Sequence, residues 1–447
     1  MDPDILAAYD RPVPRYTSYP TAAQFDKAVG PAQHADWLRD LNGQAACLYV
    51  HVPFCRELCW YCACNTMAMN RPGTLDSYAD ALDAELLRVA RIAPGMILDG
   101  IQWGGGTPSQ LGPVRLRRVG RRIAALFDQR ADAENSLEID PRQCNGPLAE
   151  AIAEIGVTRV SLGVQDFDPA VQKAINRRQS FETTARAIGL LRGEGIRRFN
   201  LDLVYGLPHQ TMASLERTLD LALELAPSRF AVFGYAHVPW MKPHQKLIDA
   251  AALPDASLRA EMAERVAGRL VAAGYMRVGL DHFARPDDAL ALAARSGGLK
   301  RNFQGYVADD SPWLVGIGAS AISSLPRGFT QNTADPGWYI AAVANGPFAT
   351  ARGVALTDDD RLRASIIEHL MCEGGVDLRE QCRRFKVDTE AFVTTVDALP
   401  SLARDGLVAL EDGMVRITEE GRPLVRFVCA AFDRHYTGQP GRHSQGI

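Results

Sequence analysis

The sequence predicts an α/β fold: a partial (β/α)6-type barrel, preceded by an extended N-terminal arm and followed by a mostly helical C-terminal region. Three observations carry this expectation. Six apolar runs of strand length, rich in β-branched and aromatic residues, recur between residues 46 and 235. Helix-length amphipathic segments lie between them, the rhythm of repeated βα units around a parallel sheet. From about Leu356 the alternation stops and helical patterns dominate.

The arm comes first. "RPVPRYTSYPTAAQF" (11–25) holds three prolines and little periodicity, so residues 1–28 read as an extended segment with no core of its own. The barrel is expected over 29–355. Its strands are "ACLYVHV" (46–52), "LDGIQWGG" (98–105), "SLEID" (136–140), "TRVSLGV" (158–164), "RFNLDLVYG" (198–206) and "RFAVFGY" (229–235). Helices are expected over 78–92 and 181–195, the second stopped by Glu-Gly. Residues 356–447 combine helices with one hairpin, "LVALEDGMVRIT", a pairing similar to a winged-helix module. No basic recognition face accompanies it, so a structural or lid role is expected rather than DNA binding.

Composition narrows the function. The chain has 447 residues and a net charge of −4, which argues against holding nucleic acid as its main task. No window approaches 18 uninterrupted apolar residues, so no membrane span is expected. The N-terminal residues lack the basic and apolar regions of a secretory signal, which points to the cytoplasm, where thiols stay reduced. Of nine cysteines, Cys47, Cys144, Cys372, Cys382 and Cys429 stand apart in mostly apolar contexts and read as packing residues.

The other four crowd one loop as Cys55-x3-Cys59-x2-Cys62-x-Cys64, directly after the first strand. Zinc sites split their four ligands into two distant pairs more often than they place them on one loop. Three thiolates converging from one short loop suit three corners of a [4Fe–4S] cluster, leaving one iron open. "WGGGTPS" (103–109) adds three glycines at a strand end, which would let backbone approach a ligand, although they would equally make a tight βα turn.

Cys-x3-Cys-x-aromatic-Cys after a first strand resembles the radical S-adenosylmethionine (SAM) enzymes. "PRYTSYPTA" (14–22), "YVHVPFC" (49–55), "GVQDF" (163–167), "DLVYGLP" (202–208), "YAHVP" (235–239), "DHFARPDD" (281–288) and "RNFQGY" (301–306) resemble one group among them, the oxygen-independent coproporphyrinogen III oxidases. That resemblance implies a radical SAM barrel with Cys55, Cys59 and Cys62 on the cluster and two SAM molecules. It assigns Tyr49, Gly105, Glu138 and Ile322 to the first SAM. Tyr61, Gly106, Thr107, Gln165, Arg177, Asp202 and Ala236 go to the second, and Phe303 and Gln304 of "RNFQGY" to the same cofactor region. Cys64 stands outside the ligand pattern and, with Tyr49, is the catalytic candidate.

The implied reaction turns two propionates of coproporphyrinogen III into vinyls without oxygen. A heme-binding chaperone-type paralogue, or a radical SAM enzyme acting on another tetrapyrrole, is the alternative. Cys64 and the N-terminal arm favour the oxidase. The resemblance further implies a monomer reduced by ferredoxin or flavodoxin. A tetracarboxylate substrate would also call for cations, for which Arg15, Arg177 and Arg301 are candidates.

Overall fold

The computed structural model describes residues 5, 8–9, 11–69 and 72–438. Six parallel strands form its centre: β1 (Ala45–Val52), β2 (Ile97–Gly105), β3 (Asp128–Ile139), β4 (Arg159–Gln165), β5 (Arg198–Tyr205) and β6 (Arg229–Gly234). They pair side by side in chain order, each βα crossover returning the chain to the same edge. Helices over Pro72–Ile92, Gly112–Leu126, Gly146–Glu154, Phe181–Gly193 and Met212–Glu224 fill the connections. Their starts follow from local chemistry: Ser180 caps the Thr183 amide, and Thr211 and Ser214 cap each other's amides.

Two features were not legible beforehand. β3 begins eight residues before the expected "SLEID", and its first five residues are exposed. An outer strand half that buries nothing needs no apolar alternation, so "DQRAD" carries no strand signal. The sheet also extends past the barrel on both sides, to 12 strands. Beyond β6 come β7 (Met276–Val278) and β8 (His282–Ala284), with β8 antiparallel to β6. Beyond β1 come β9 (Leu314–Ile317), parallel to it, and then antiparallel β10 (Ile322–Leu325), β11 (Gly328–Asn332) and β12 (Thr350–Ala355). Strands of three to six residues are too short for periodicity to reveal.

The main core lies between strands and helices, from Val29 to Ala349, with Trp103, Tyr78 and Phe199 among its largest buried side chains. A second core holds the C-terminal region, where β13 (Gly375–Asp377), β15 (Met414–Ile417) and β14 (Val408–Glu411) form a small sheet against helices. The hairpin β14–β15 matches the expected "LVALEDGMVRIT", and β13 adds a third strand.

The arm lacks a separate core, but it does not stand apart. Tyr9, Val13, Tyr16 and Tyr19 are buried in the C-terminal core. Tyr9 donates to Asp405 (2.7 Å), Tyr16 donates to Asp433 (3.0 Å), and Tyr436 donates to the Pro12 carbonyl (2.8 Å). The arm ties the two ends of the chain together, and its Arg15 and Thr17 turn toward the barrel cavity.

Candidate active site

β1 runs directly into the cysteine loop, so the loop sits at the C-terminal ends of the parallel strands, where barrels place their ligands. Cys55, Cys59, Cys62 and Cys64 line one cavity of about 880 Å3. The segment after β6 clamps the loop by its backbone. Lys242 Nζ donates to the Cys64 carbonyl (2.8 Å), Gln245 Nε2 to that of Tyr61 (2.9 Å), and His244 Nε2 lies 2.6 Å from that of Cys62. On the other side Asn176 donates to the Leu58 carbonyl (3.0 Å).

The sulfurs meet polar groups. Cys55 Sγ lies 3.1 Å from Thr66 Oγ1 and 3.4 Å from Thr107 Oγ1, and Arg177 Nη1 donates to Cys59 Sγ (3.5 Å). Such contacts steady thiolates and tune a cluster's potential. Among the described residues no three Cys, His, Asp or Glu converge on one point as a single metal ion requires. A cubane asks for something different, three thiolates at three separate corners, and a single loop facing one cavity fits it. Cys64 is exposed toward that cavity. Its hydrogen bond with Cys62, helped by Lys242 and Arg15, draws the thiol down to about 7.

The glycine turn closes the floor beside the loop. A Cβ on Gly105, at φ +116°, would sit 2.6 Å from the His51 ring. One on Gly106 would lie 2.5 Å from Thr66 Oγ1 and 2.8 Å from the Pro53 backbone. Bare backbone here is demanded first by the cysteine loop pressed against it. Gly105, Gly106 and Thr107 nonetheless line the cavity, as expected of ligand contacts.

Two carboxylates face the cavity from β3 and β5. Glu138 accepts from the Gly105 amide (3.2 Å), and Asp202 accepts from Ser161 (3.0 Å) and Asn200 (2.7 Å). Neither has an ion-pair partner among the described residues. Burial, then repulsion from Asp202 and Cys64, pushes Glu138 up to about 8; burial also raises Asp202. Buried carboxylates so unbalanced suit a cationic ligand with hydroxyls.

Opposite them Arg177 donates to the Gly163 carbonyl (2.6 Å) and stands 3.7 Å from Asp140, while its buried Nε has no partner. Burial works against Asp140's charge, but Arg142 and Arg177 outweigh it and hold the carboxyl at about 2. Gln165 reaches the wall where the β4–β5 register shifts, at φ +71°. Tyr61, Ala236, Phe303 and Gln304 complete this set of wall residues, and the Gln304 side-chain nitrogen is buried without a partner.

Tyr49 and Ile322 do not line the cavity. Tyr49 stands on β1 with its ring against Gly104, whose added Cβ would meet both that ring and Glu138 near 3 Å. Ile322 begins β10 with its backbone against Gly316. Their assignment to the first SAM therefore rests on resemblance alone. Arg15, Arg177 and Arg301 all line the cavity.

Sequence reasoning passed over His51, Thr66 and the 242–245 clamp. His51 is buried, contacts the Tyr49 hydroxyl (3.0 Å) and Ser320 Oγ (3.2 Å), and is drawn down by burial to about 4, hence neutral. Its place two residues after Tyr49, on the same strand face, was the available signal. The clamp had none, because it acts through cysteine-loop carbonyls that any residues would offer.

Residues 49–222 match the model of the radical SAM superfamily, and residues 356–424 match that of the HemN C-terminal domain. An oxygen-independent coproporphyrinogen III oxidase of Bradyrhizobium diazoefficiens is 45% identical, with 100% of both chains covered. A protein of the same name from Pseudomonas aeruginosa is 40% identical over 97% of this chain and 96% of its own. The solved coproporphyrinogen III oxidase of Escherichia coli, described as a radical SAM enzyme, superposes with a TM-score of 0.90 at 36% identity. It covers 94% of this chain and 98% of its own.

Proposed function

Since this chain belongs to the oxygen-independent coproporphyrinogen III oxidases, a family of radical SAM enzymes, we propose that Cys55, Cys59 and Cys62 hold its [4Fe–4S] cluster. The reaction is the anaerobic oxidative decarboxylation of two propionates of coproporphyrinogen III to vinyls, giving protoporphyrinogen IX for heme synthesis. The cluster and SAM, held by these residues, would supply the radical chemistry that removes a hydrogen atom from a propionate β-carbon; completing the vinyl then releases CO2 and passes one electron to an external acceptor.

The chain's own residues bind, orient and shield. Glu138 and Asp202 receive the ammonium and ribose hydroxyls of SAM, and Arg177 pairs with a SAM carboxylate. In this reading the cavity takes two SAM molecules. Glu138 and the Gly105 turn serve the first, with Tyr49 and Ile322 behind them. Tyr61, Gly106, Thr107, Gln165, Arg177, Asp202 and Ala236 serve the second, and Phe303 and Gln304 border both. The arm's Arg15 and Thr17 close the mouth and keep water from the reacting carbon. Cys64, facing the cavity beside the three-cysteine loop, is placed to exchange a hydrogen or an electron with the substrate side. The protein acts in the cytoplasm as a monomer supplied by ferredoxin or flavodoxin. Among the described residues no helix is long and apolar enough to cross a membrane.

The observation that carries this reading is the meeting of a three-cysteine loop and two carboxylates without cationic partners on one cavity wall. Reconstituted protein, given dithionite, SAM and coproporphyrinogen III without oxygen, should yield products short of one and then two carboxyl groups by mass. Products that keep all four carboxyls while SAM is consumed would overturn it.

A further inference from the structure

A side branch of about 160 Å3 opens from the main cavity behind Gly234, Tyr235 and Ala236. Five guanidinium groups line it, from Arg15, Arg259, Arg277, Arg301 and Arg426. Arg15 and Arg301 stand at the junction, since they line both spaces. Two carboxylates share the wall. Asp281 is engaged by His282 at 2.6 Å, and Glu264 is exposed on the outer helix. Among the described residues, Arg15, Arg259, Arg277 and Arg301 form no ion pair with a carboxylate. The buried Nε atoms of Arg259 and Arg277 have no hydrogen-bond partner. Their other bonds go only to backbone, from Arg259 to the Tyr235 carbonyl (2.9 Å) and from Arg277 to that of Leu280 (3.4 Å).

Arg259, Arg277 and Arg301 are half-buried without an ion pair, and Asp281 is the one inner carboxylate near this group, so the arrangement costs stability as each guanidinium loses hydration and repels the next. Burial, then Arg15 and Arg301, draw Arg426 down to about 10, the direction expected where positive charge is in excess. A fold carries that cost where an anion arrives to offset it. The anion must be small, given the volume. None of the four loop cysteines and neither Glu138 nor Asp202 lines the branch, so its occupant lies away from the cluster.

We propose that this branch seats a propionate carboxylate of the substrate that is not converted, with Arg277, Arg259 and Arg426 inside and Arg15 and Arg301 at the neck. Fork-shaped guanidinium donors match a carboxylate in two-point fashion. Anchoring one propionate here orients the macrocycle and so decides which side chains face the cluster. The assignment rests on coproporphyrinogen III being the substrate.

The test uses the full-length, cluster-loaded protein and its Arg277→Gln and Arg426→Gln variants. Loss of one charge-assisted contact should raise KM for coproporphyrinogen III about 10- to 100-fold, with a smaller change in kcat and an unchanged SAM dissociation constant. Binding of the oxidised probe coproporphyrin III should weaken to the same degree. Its tetramethyl ester should not distinguish variant from wild type. Because Arg277 forms no ion pair and faces other guanidinium groups, the melting temperature of the Arg277→Gln variant should hold or rise. Unchanged KM in both variants would overturn the proposal, as would loss of fold or cluster in either, which would make the arginines structural. A wild-type protein that binds the probe through these arginines without decarboxylating coproporphyrinogen III would instead sink the enzymatic reading and leave the anion site standing.

Discussion

Glu134 and Glu138 stand four residues apart on β3 and line the same barrel cavity, yet their surroundings push them in opposite directions. Burial opposes Glu134's charge, but Arg159 at 2.8 Å and Arg229 at 3.2 Å outweigh it and hold the carboxyl at about 2. Arg229 is in turn held by Asp288 at 2.5 Å. Glu138, two pleat repeats nearer the cysteine loop, has burial and two negative neighbours and rises to about 8. Charges deep in the barrel are paired among themselves. At the strand ends Glu138 and Asp202 have no ion-pair partner among the described residues, while Asp140 is held by Arg142 and Arg177. This is the division between stability and chemistry that barrel geometry favours.

The largest effect is expected where the ligand end loses its metal anchor. Cys59→Ala should lose the cluster and bring turnover to background, read by iron content and by products. A variant that kept both would refute the assignment of the loop. Next comes the paired end. Glu134→Gln leaves Arg229 and Arg159 short of a buried anion and should cost about 3 kcal/mol of stability, tempered by Glu134's partial exposure. Chemical denaturation would show it, with SAM affinity unchanged. A comparable loss of SAM affinity would erase the distinction between the two ends.

Glu138→Gln should do the reverse. SAM affinity should fall about 10- to 100-fold by calorimetry, through loss of a charge-assisted contact. The ligand-free protein, freed of a buried anion, should be more stable above pH 8. The signs follow from linkage. Glu138's folded value lies above the ordinary 4.5, so its neutral form favours the fold and that contribution is lost as pH climbs from 4.5 through about 8. Glu134's value lies below 4.5, so its contribution is present above that pH and lost as pH falls toward 2.

The smallest effect is the pH dependence of SAM binding. Where SAM prefers ionised Glu138, its affinity should rise by at most about tenfold per pH unit up to pH 8. Proton release should be visible as a dependence of the binding heat on buffer. A flat profile would place the cationic part of SAM elsewhere.

Legibility differed between the parts. The six barrel strands were readable where they bury both faces, as continuous apolar runs bounded by turn residues, and the exposed first half of β3 was not. The cysteine loop was readable because its thiols are local, four within ten residues. The arm was readable only as lacking periodicity. That its tyrosines complete a core built from residues 362–432 depends on contacts some 400 positions apart, which no local pattern encodes. His51 was in plain view within a quoted motif, yet nothing marked it as the ring that makes Gly105 necessary.

The sequence by itself determined the chemistry that rests on adjacency: the three-cysteine loop, the glycine turn, the βα rhythm and the motif set that marks the oxidase family. Tertiary structure alone decided which charges face one another. Glu134 finds arginines from β4 and β6, Glu138 finds no ion-pair partner and stands near two negative groups, and the arginines at 15, 259, 277, 301 and 426 gather around one branch. The physical reason is that a charge's effect depends on distance and burial in space. Along the chain those arginines are separated by up to 411 residues, and only folding brings them within each other's field.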